Sequence, residues 1–122
     1  YNSNPLSLKS AIKNFDKINS HKSNKYLLIG DMLELGSHSK KLHKSIAPII
    51  NQTKIDKVFV KGKMASIIFA GISKAKKGRI LLNKSQIIEL IRKDLNNNDY
   101  LMIKASLATG FNDIVKDLKG LH

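Results

Sequence analysis

The sequence predicts an α/β protein: a three-layer, Rossmann-like sandwich built on a mostly parallel sheet. Short apolar runs alternate with helical patterns four times along the 122 residues. Each run is continuous rather than alternating, as expected of strands buried on both faces of a parallel sheet. Connections are short, and right-handed crossovers then lay helices on both faces.

The elements follow in order. Leu8, Ala11, Ile12, Phe15 and Ile18 are three and four apart, which lines one face of a first helix. Tyr26-Leu27-Leu28-Ile29 is the first strand. Residues 37–51 predict a helix with Leu42, Ile46 and Ile50 in register, kinked or restarted at Pro48, where an amide donor is missing. Val58-Phe59-Val60 is the second strand, and Met64, Ile67, Ile68, Gly71 and Ile72 face inward from the next helix. Ile80-Leu81-Leu82 reads as the third strand, followed by a helix on Ile87, Ile88, Ile91 and Leu95. Tyr100-Leu101-Met102-Ile103 is the fourth, with a last helical face on Phe111, Ile114, Val115 and Leu118. The linkers at 20–24, 76–78 and 96–99 leave no internal domain boundary. The chain begins at Tyr1, within a polar loop and without an initiator methionine, and reads as a piece of something longer.

Composition narrows the functions. At 42% apolar the chain can build a core, and its apolar runs fall far short of a membrane span. No signal peptide is visible, and the absence of cysteine excludes disulfides and thiolate metal sites. A cytoplasmic protein without membrane insertion is the expectation. The net charge of +13 would suit a basic α/β module that binds nucleic acid. Against that, the charge is almost all lysine, with Arg79 and Arg92 the only arginines and seven aromatics available for stacking. A solvated basic surface is the better reading, with no nucleic-acid partner.

In open parallel sheets ligands bind at the carboxyl ends of the strands. That edge carries Gly30-Asp31, Lys61-Gly62-Lys63, Asn83-Lys84 and Lys104-Ala105-Ser106. It is cationic and lies beside helix N-termini, which suits a phosphate or carboxylate. Neither a phosphate loop nor a dinucleotide fingerprint is present. His21, His38, His43 and His122 lack the one-turn spacing of a helical metal pair, and read as surface or capping residues, so no metal site is expected.

Two segments ask for more. Tyr1-Asn2-Ser3-Asn4-Pro5 leads into the first helix, where Pro5 and Ser7 serve a cap and the asparagines also offer amide donors and acceptors. Gly30-Asp31-Met32-Leu33-Glu34-Leu35-Gly36 follows a buried strand. Its apolar residues need cover from their own domain, a neighbouring domain or a ligand. Asp31 and Glu34 either orient a cationic group or cap the helix starting near Ser37.

Together, Tyr-Asn-x-Asn-Pro before a helix and Gly-Asp-Met-Leu-Glu-Leu-Gly after a strand, with His43 beyond, resemble the Mur ligases, in the branch that adds D-alanyl-D-alanine. The order and spacing match across essentially the whole chain. The resemblance implies that residues 1–122 are the C-terminal, third domain of a bacterial cytoplasmic enzyme of peptidoglycan precursor synthesis. The missing domains would hold the UDP-N-acetylmuramoyl-tripeptide and, in the central one, ATP with Mg2+. It further implies that ATP phosphorylates the tripeptide carboxylate and that the dipeptide amine attacks the acyl phosphate. By the same implication the third domain would close over the central one and exclude water.

By the same resemblance, Tyr1, Asn2, Asn4, Lys104 and Ser106 would lie at the nucleotide and dipeptide cleft. Leu33 and Leu35 would line the closing loop with Asp31 and Glu34 beside them, and His43 would support that loop. No catalytic residue is expected in this domain, and the chain alone would be inactive and bind no cofactor tightly. The family pattern after the fourth strand is Lys-Gly-Ser-Arg, whereas this chain has Lys104-Ala105-Ser106-Leu107. Leu107 removes a guanidinium that could hold a carboxylate, for which Lys104 would substitute as a point charge.

Overall fold

A computed structural model describes residues 4–104. The last predicted helix, on Phe111 to Leu118, lies outside the described residues.

Helix α1 (Pro5–Asp16) starts at Asn4, whose Oδ1 accepts the Ser7 amide at 2.9 Å while Ser7 Oγ accepts the Asn4 amide at 3.3 Å. This reciprocal capping box satisfies two amides that the helix itself cannot. Pro5 follows at the first helical position, where its missing N–H costs nothing. Leu8, Ile12 and Phe15 are buried as predicted, but the helix ends at Asp16 and Ile18 lies beyond it, 40% exposed.

Among the described residues four parallel strands follow: β1 (Lys25–Gly30), β2 (Lys57–Lys61), β3 (Lys77–Ile80) and β4 (Tyr100–Lys104). Their order is β3-β2-β1-β4, and every neighbouring pair is parallel. Alternation along β1 and β2 divides the interior into two cores. Leu27, Ile29, Val58 and Val60 pack with Leu8, Ile12, Ile46, Ile50 and Ile68 from the helices of one face. Leu28 and Phe59 pack with Leu81, Ile87 and Leu90 on the other. The layers are helix, sheet and helix.

The helix predicted over residues 37–51 is three pieces. A 3-10 turn (Gly36–His38) leads into α2 (Ser39–Lys44), and α3 (Ile46–Asn51) restarts after Ser45. Pro48 explains the break: it has no N–H for the Lys44 carbonyl, and its ring crowds that oxygen. Ser45 softens the interruption by donating Oγ–H to Leu42 O at 2.6 Å.

Helix α4 (Ala65–Gly71) connects β2 to β3 through a 3-10 turn (Lys74–Lys76). The third strand is displaced from its prediction. It occupies Lys77–Ile80, so residues read as linker are strand, while Leu81 and Leu82 lie past its end. Leu81 remains buried against α5 and Leu82 is 74% exposed. As an edge strand with a register irregularity opposite Val58 and Val60, β3 carries no continuous apolar run. Asn83 then caps α5 (Lys84–Glu89), which relaxes into a π turn (Leu90–Asp94) before β4. Among the described residues no helix is long and apolar enough to cross a membrane.

The carboxyl edge of the sheet as candidate site

The strand ends converge where the topology predicts. Gly30 pairs with Lys61 and Ile29 with Lys104, so lysines stand on both sides of the end of β1. Alternation sends them apart: Lys61 follows Phe59 onto the α5 face, and Lys104 follows Met102 onto the opposite one. Between the ends of β2 and β3 opens a cavity of about 310 Å3, lined by Lys61, Lys63, Ser66, Ile80 and Leu82 among others. Neither Lys61 nor Lys63 forms an ion pair among the described residues.

Asp31 does not cap the helix that begins near Ser37. Its Oδ1 accepts the Ala65 amide at 2.7 Å, so it serves the start of α4 from across the sheet edge. The 3-10 turn and α2 have no side-chain cap at all. Gly62 makes this reach possible. At φ +121° it adopts backbone that side chains disfavour, and an added Cβ would stand 2.6 Å from Asp31 Cγ.

The apolar loop is covered from within the domain. Met32 is 2% exposed in the larger core, Leu35 packs against it, and Leu33 is half-buried. Glu34 is exposed and, at φ 63°, holds the left-handed backbone that reverses the loop before Gly36, also at φ 63°. His43 corrects the surface reading of the histidines, because it is fully buried. Its Nε2 accepts the Met32 amide at 3.0 Å, and its Nδ1 lies 2.8 Å from Ser39 O. That pairing requires the tautomer with hydrogen on Nδ1, which donates to the Ser39 carbonyl. His21 and His38 are exposed.

Of the other residues singled out in the sequence, Asn4 is the exposed cap of α1 and Lys104 closes β4. Tyr1, Asn2 and Ser106 lie outside the described residues. The cavity residues Ser66, Ile80 and Leu82 were not singled out, because the run Ile80-Leu81-Leu82 reads as strand interior. One sequence signal is the following Asn83, a helix cap that places the start of α5 directly after this run. Among the described residues no group of three His, Asp or Glu side chains could hold a metal. Asp31, the one carboxylate directly at the end of β1, is bonded to a backbone amide.

Comparison with known proteins agrees with this architecture. Residues 1–107 match the family model described as Mur ligase, glutamate ligase domain. The chain is 34% identical over 121 residues to the UDP-N-acetylmuramoyl-tripeptide–D-alanyl-D-alanine ligase of Bacillus subtilis, an alignment covering 97% of this chain and 26% of that protein. With the same-named enzyme of Buchnera aphidicola subsp. Acyrthosiphon pisum the identity is 32% over 120 residues, covering 97% and 25%. Among solved structures, the MurF ligase of Thermotoga maritima in complex with ADP superposes with a TM-score of 0.76 at 23% identity, over 95% of this chain and 26% of that one. One MurF structure from Acinetobacter baumannii gives 0.77 at 24%, over 97% and 26%. These structural likenesses establish the fold. The chain spans about a quarter of the length of the curated relatives it matches.

Proposed function

The chain belongs to the Mur ligase family, and from that premise we propose that residues 1–122 are the C-terminal domain of an enzyme joining D-alanyl-D-alanine to UDP-N-acetylmuramoyl-tripeptide. The observation that carries this reading is the identity to the Bacillus subtilis ligase, sustained over nearly the whole chain and confined to a quarter of that enzyme.

The structure gives the reading a physical form. A domain without a phosphate loop would contribute a surface to a shared site, and the carboxyl edge is the surface proposed for it. Lysines on that edge suit the dipeptide carboxylate or a phosphate of ATP, and exposed Leu82 and Ile80 suit contact with a neighbouring domain. Condensing a carboxylate with an amine in water needs an activating co-substrate; by family membership this would be ATP, held with Mg2+ by the other domains. Asn4 with Tyr1 and Asn2, and Lys104 with Ser106, would border the dipeptide cleft, and the Leu33-Glu34-Leu35 tip would close it. Substrates built on UDP would put such an enzyme in the bacterial cytoplasm.

The nucleic-acid alternative has no support in the family match, and three of the ammonium groups serve the fold. Lys76 Nζ donates to Thr53 O and Ile55 O, Lys57 Nζ to Ala75 O, and Lys25 Nζ to Asp16 O.

The test is phosphate release by the longer protein carrying this chain, followed on adding D-alanyl-D-alanine. Lys104→Ala is expected to lower kcat/KM for the dipeptide about tenfold, equivalent to about 1.4 kcal/mol of lost transition-state binding. If the wild-type protein releases no phosphate in response to the dipeptide, the reading is wrong.

A further inference from the structure

We propose that Asp31 is a positioning residue: it locks the Gly30–Gly36 loop to the Lys61-Gly62-Lys63 turn, so that the carboxyl edge is presented as one rigid block. The inference deepens the proposed function and rests on it for its catalytic consequence.

Two successive residues leaving β1 are pinned in different directions. The Asp31 carboxylate reaches sideways to the Ala65 amide at the start of α4, at 2.7 Å, and lies against the Cα of Gly62. The Met32 amide is held from the other side by His43 Nε2, on α2, at 3.0 Å. His43 is itself fixed by the Ser39 carbonyl on its own helix, and is fully buried. Helices α2 and α4 pack against each other, which closes the circuit.

Three chain segments, at 31–36, 39–43 and 61–65, are therefore cross-braced at one corner of the sheet. The turn that Asp31 holds is the one carrying Lys61 and Lys63, which line the cavity between β2 and β3. The Asp31 carboxylate faces this turn, so Asp31 acts on a ligand only through the groups it places. Gly62 belongs to the same device. No other residue adopts φ +121° without strain while leaving the carboxylate room to approach.

The test uses the longer ligase with Asp31→Ala, Asp31→Asn, Gly62→Ala and the double variant Asp31→Ala with Gly62→Ala. Asparagine keeps an oxygen for the Ala65 amide and should stay within about threefold of wild type. Asp31→Ala and Gly62→Ala should each lower kcat/KM for D-alanyl-D-alanine at least tenfold, with KM for the UDP-linked tripeptide unchanged. The double variant should be much less impaired than the product of the two, because both changes break one contact. Amide hydrogen exchange on the same proteins should rise in both 32–36 and 62–66 for Asp31→Ala.

A helix cap with no positioning role predicts a lower Tm, exchange raised only around 65–67, and unchanged dipeptide kinetics below the melt; that result overturns the inference. Wild-type protein without ligase activity overturns the functional reading instead, and with it the catalytic role of Asp31. Exchange rising in step at the two segments would then leave the mechanical coupling as the only part standing.

Discussion

Lys25 is 2% exposed, and its ammonium donates to the last carbonyl of α1 at 2.6 Å, where the helix dipole is negative. A buried cation of this kind is invisible in a sequence with 22 basic residues; only the meeting of a helix end with a strand start reveals it. The neighbouring Tyr26 is legible as a strand residue, but its chemistry is not. Burial, followed by the negative charges of Asp99, Asp94 and Asp56, raises its phenol above the usual value of 10.0, while a hydrogen bond from Asn24 partly offsets them. The folded protein thus holds this proton more tightly than the unfolded chain. The resulting stability is complete below about pH 10 and is lost as pH rises through the folded value. Urea midpoints of wild type and Tyr26→Phe across pH 9 to 11 should therefore differ increasingly in slope, wild type falling faster. Parallel curves would refute the linkage. His43 is the converse case: its sequence position marked it for the loop by resemblance, whereas spacing alone placed it at the surface.

At the scale of elements, the sequence specifies most of what forms. Continuous apolar runs identify β1, β2 and β4, and the three-four spacing identifies α1, α4 and α5. It fails where neighbours decide. Pro48 was a visible breaker, yet the break falls three residues earlier, at Ser45, because the ring acts on the preceding turn. The third strand was misplaced because its true residues, Lys77-Gly78-Arg79-Ile80, are polar and glycine-bearing. Such a strand is tolerated at an edge, and Gly78 is there for Phe59. An added Cβ would stand 2.6 Å from that ring, which is 3% exposed and has little room to retreat. Arg79 lies over the same ring with its guanidinium 5.4 Å from the centroid and bonds Asp94 at 2.8 Å, so β3 is also held by its side chains. Gly78→Ala should destabilise the fold by roughly 1–3 kcal/mol. Combining it with Phe59→Leu should recover part of that loss relative to the sum of the single changes, as read from denaturant midpoints. Additive losses would show that the two residues do not share the space.

For the molecule as a whole, the fold class was legible because a parallel sheet with crossover helices imposes one rhythm along the chain. The candidate edge could be proposed from the sequence in outline, since such sheets bind ligands at their carboxyl ends. Its internal bracing was not, because Asp31 and Ala65 are 34 residues apart and neither type announces the bond. The net charge of +13 was the most conspicuous number and decided the least. The isolated chain should show no ATP hydrolysis above background in a phosphate-release assay, since its sequence carries no phosphate loop; turnover by the pure chain would contradict that.

The strand order β3-β2-β1-β4 also governs how the chain is assembled. The first strand made is a central one, and its second neighbour is the last of the four. The Asn24 amide meets its Asp99 acceptor across 75 residues of sequence. Closing so long a loop is slow compared with forming the adjacent β1–β2 unit. On the ribosome, one flank of β1 therefore stays open, with its backbone donors and acceptors unpaired, until β4 has emerged. That interval is when this chain is most exposed to pairing with the wrong strand.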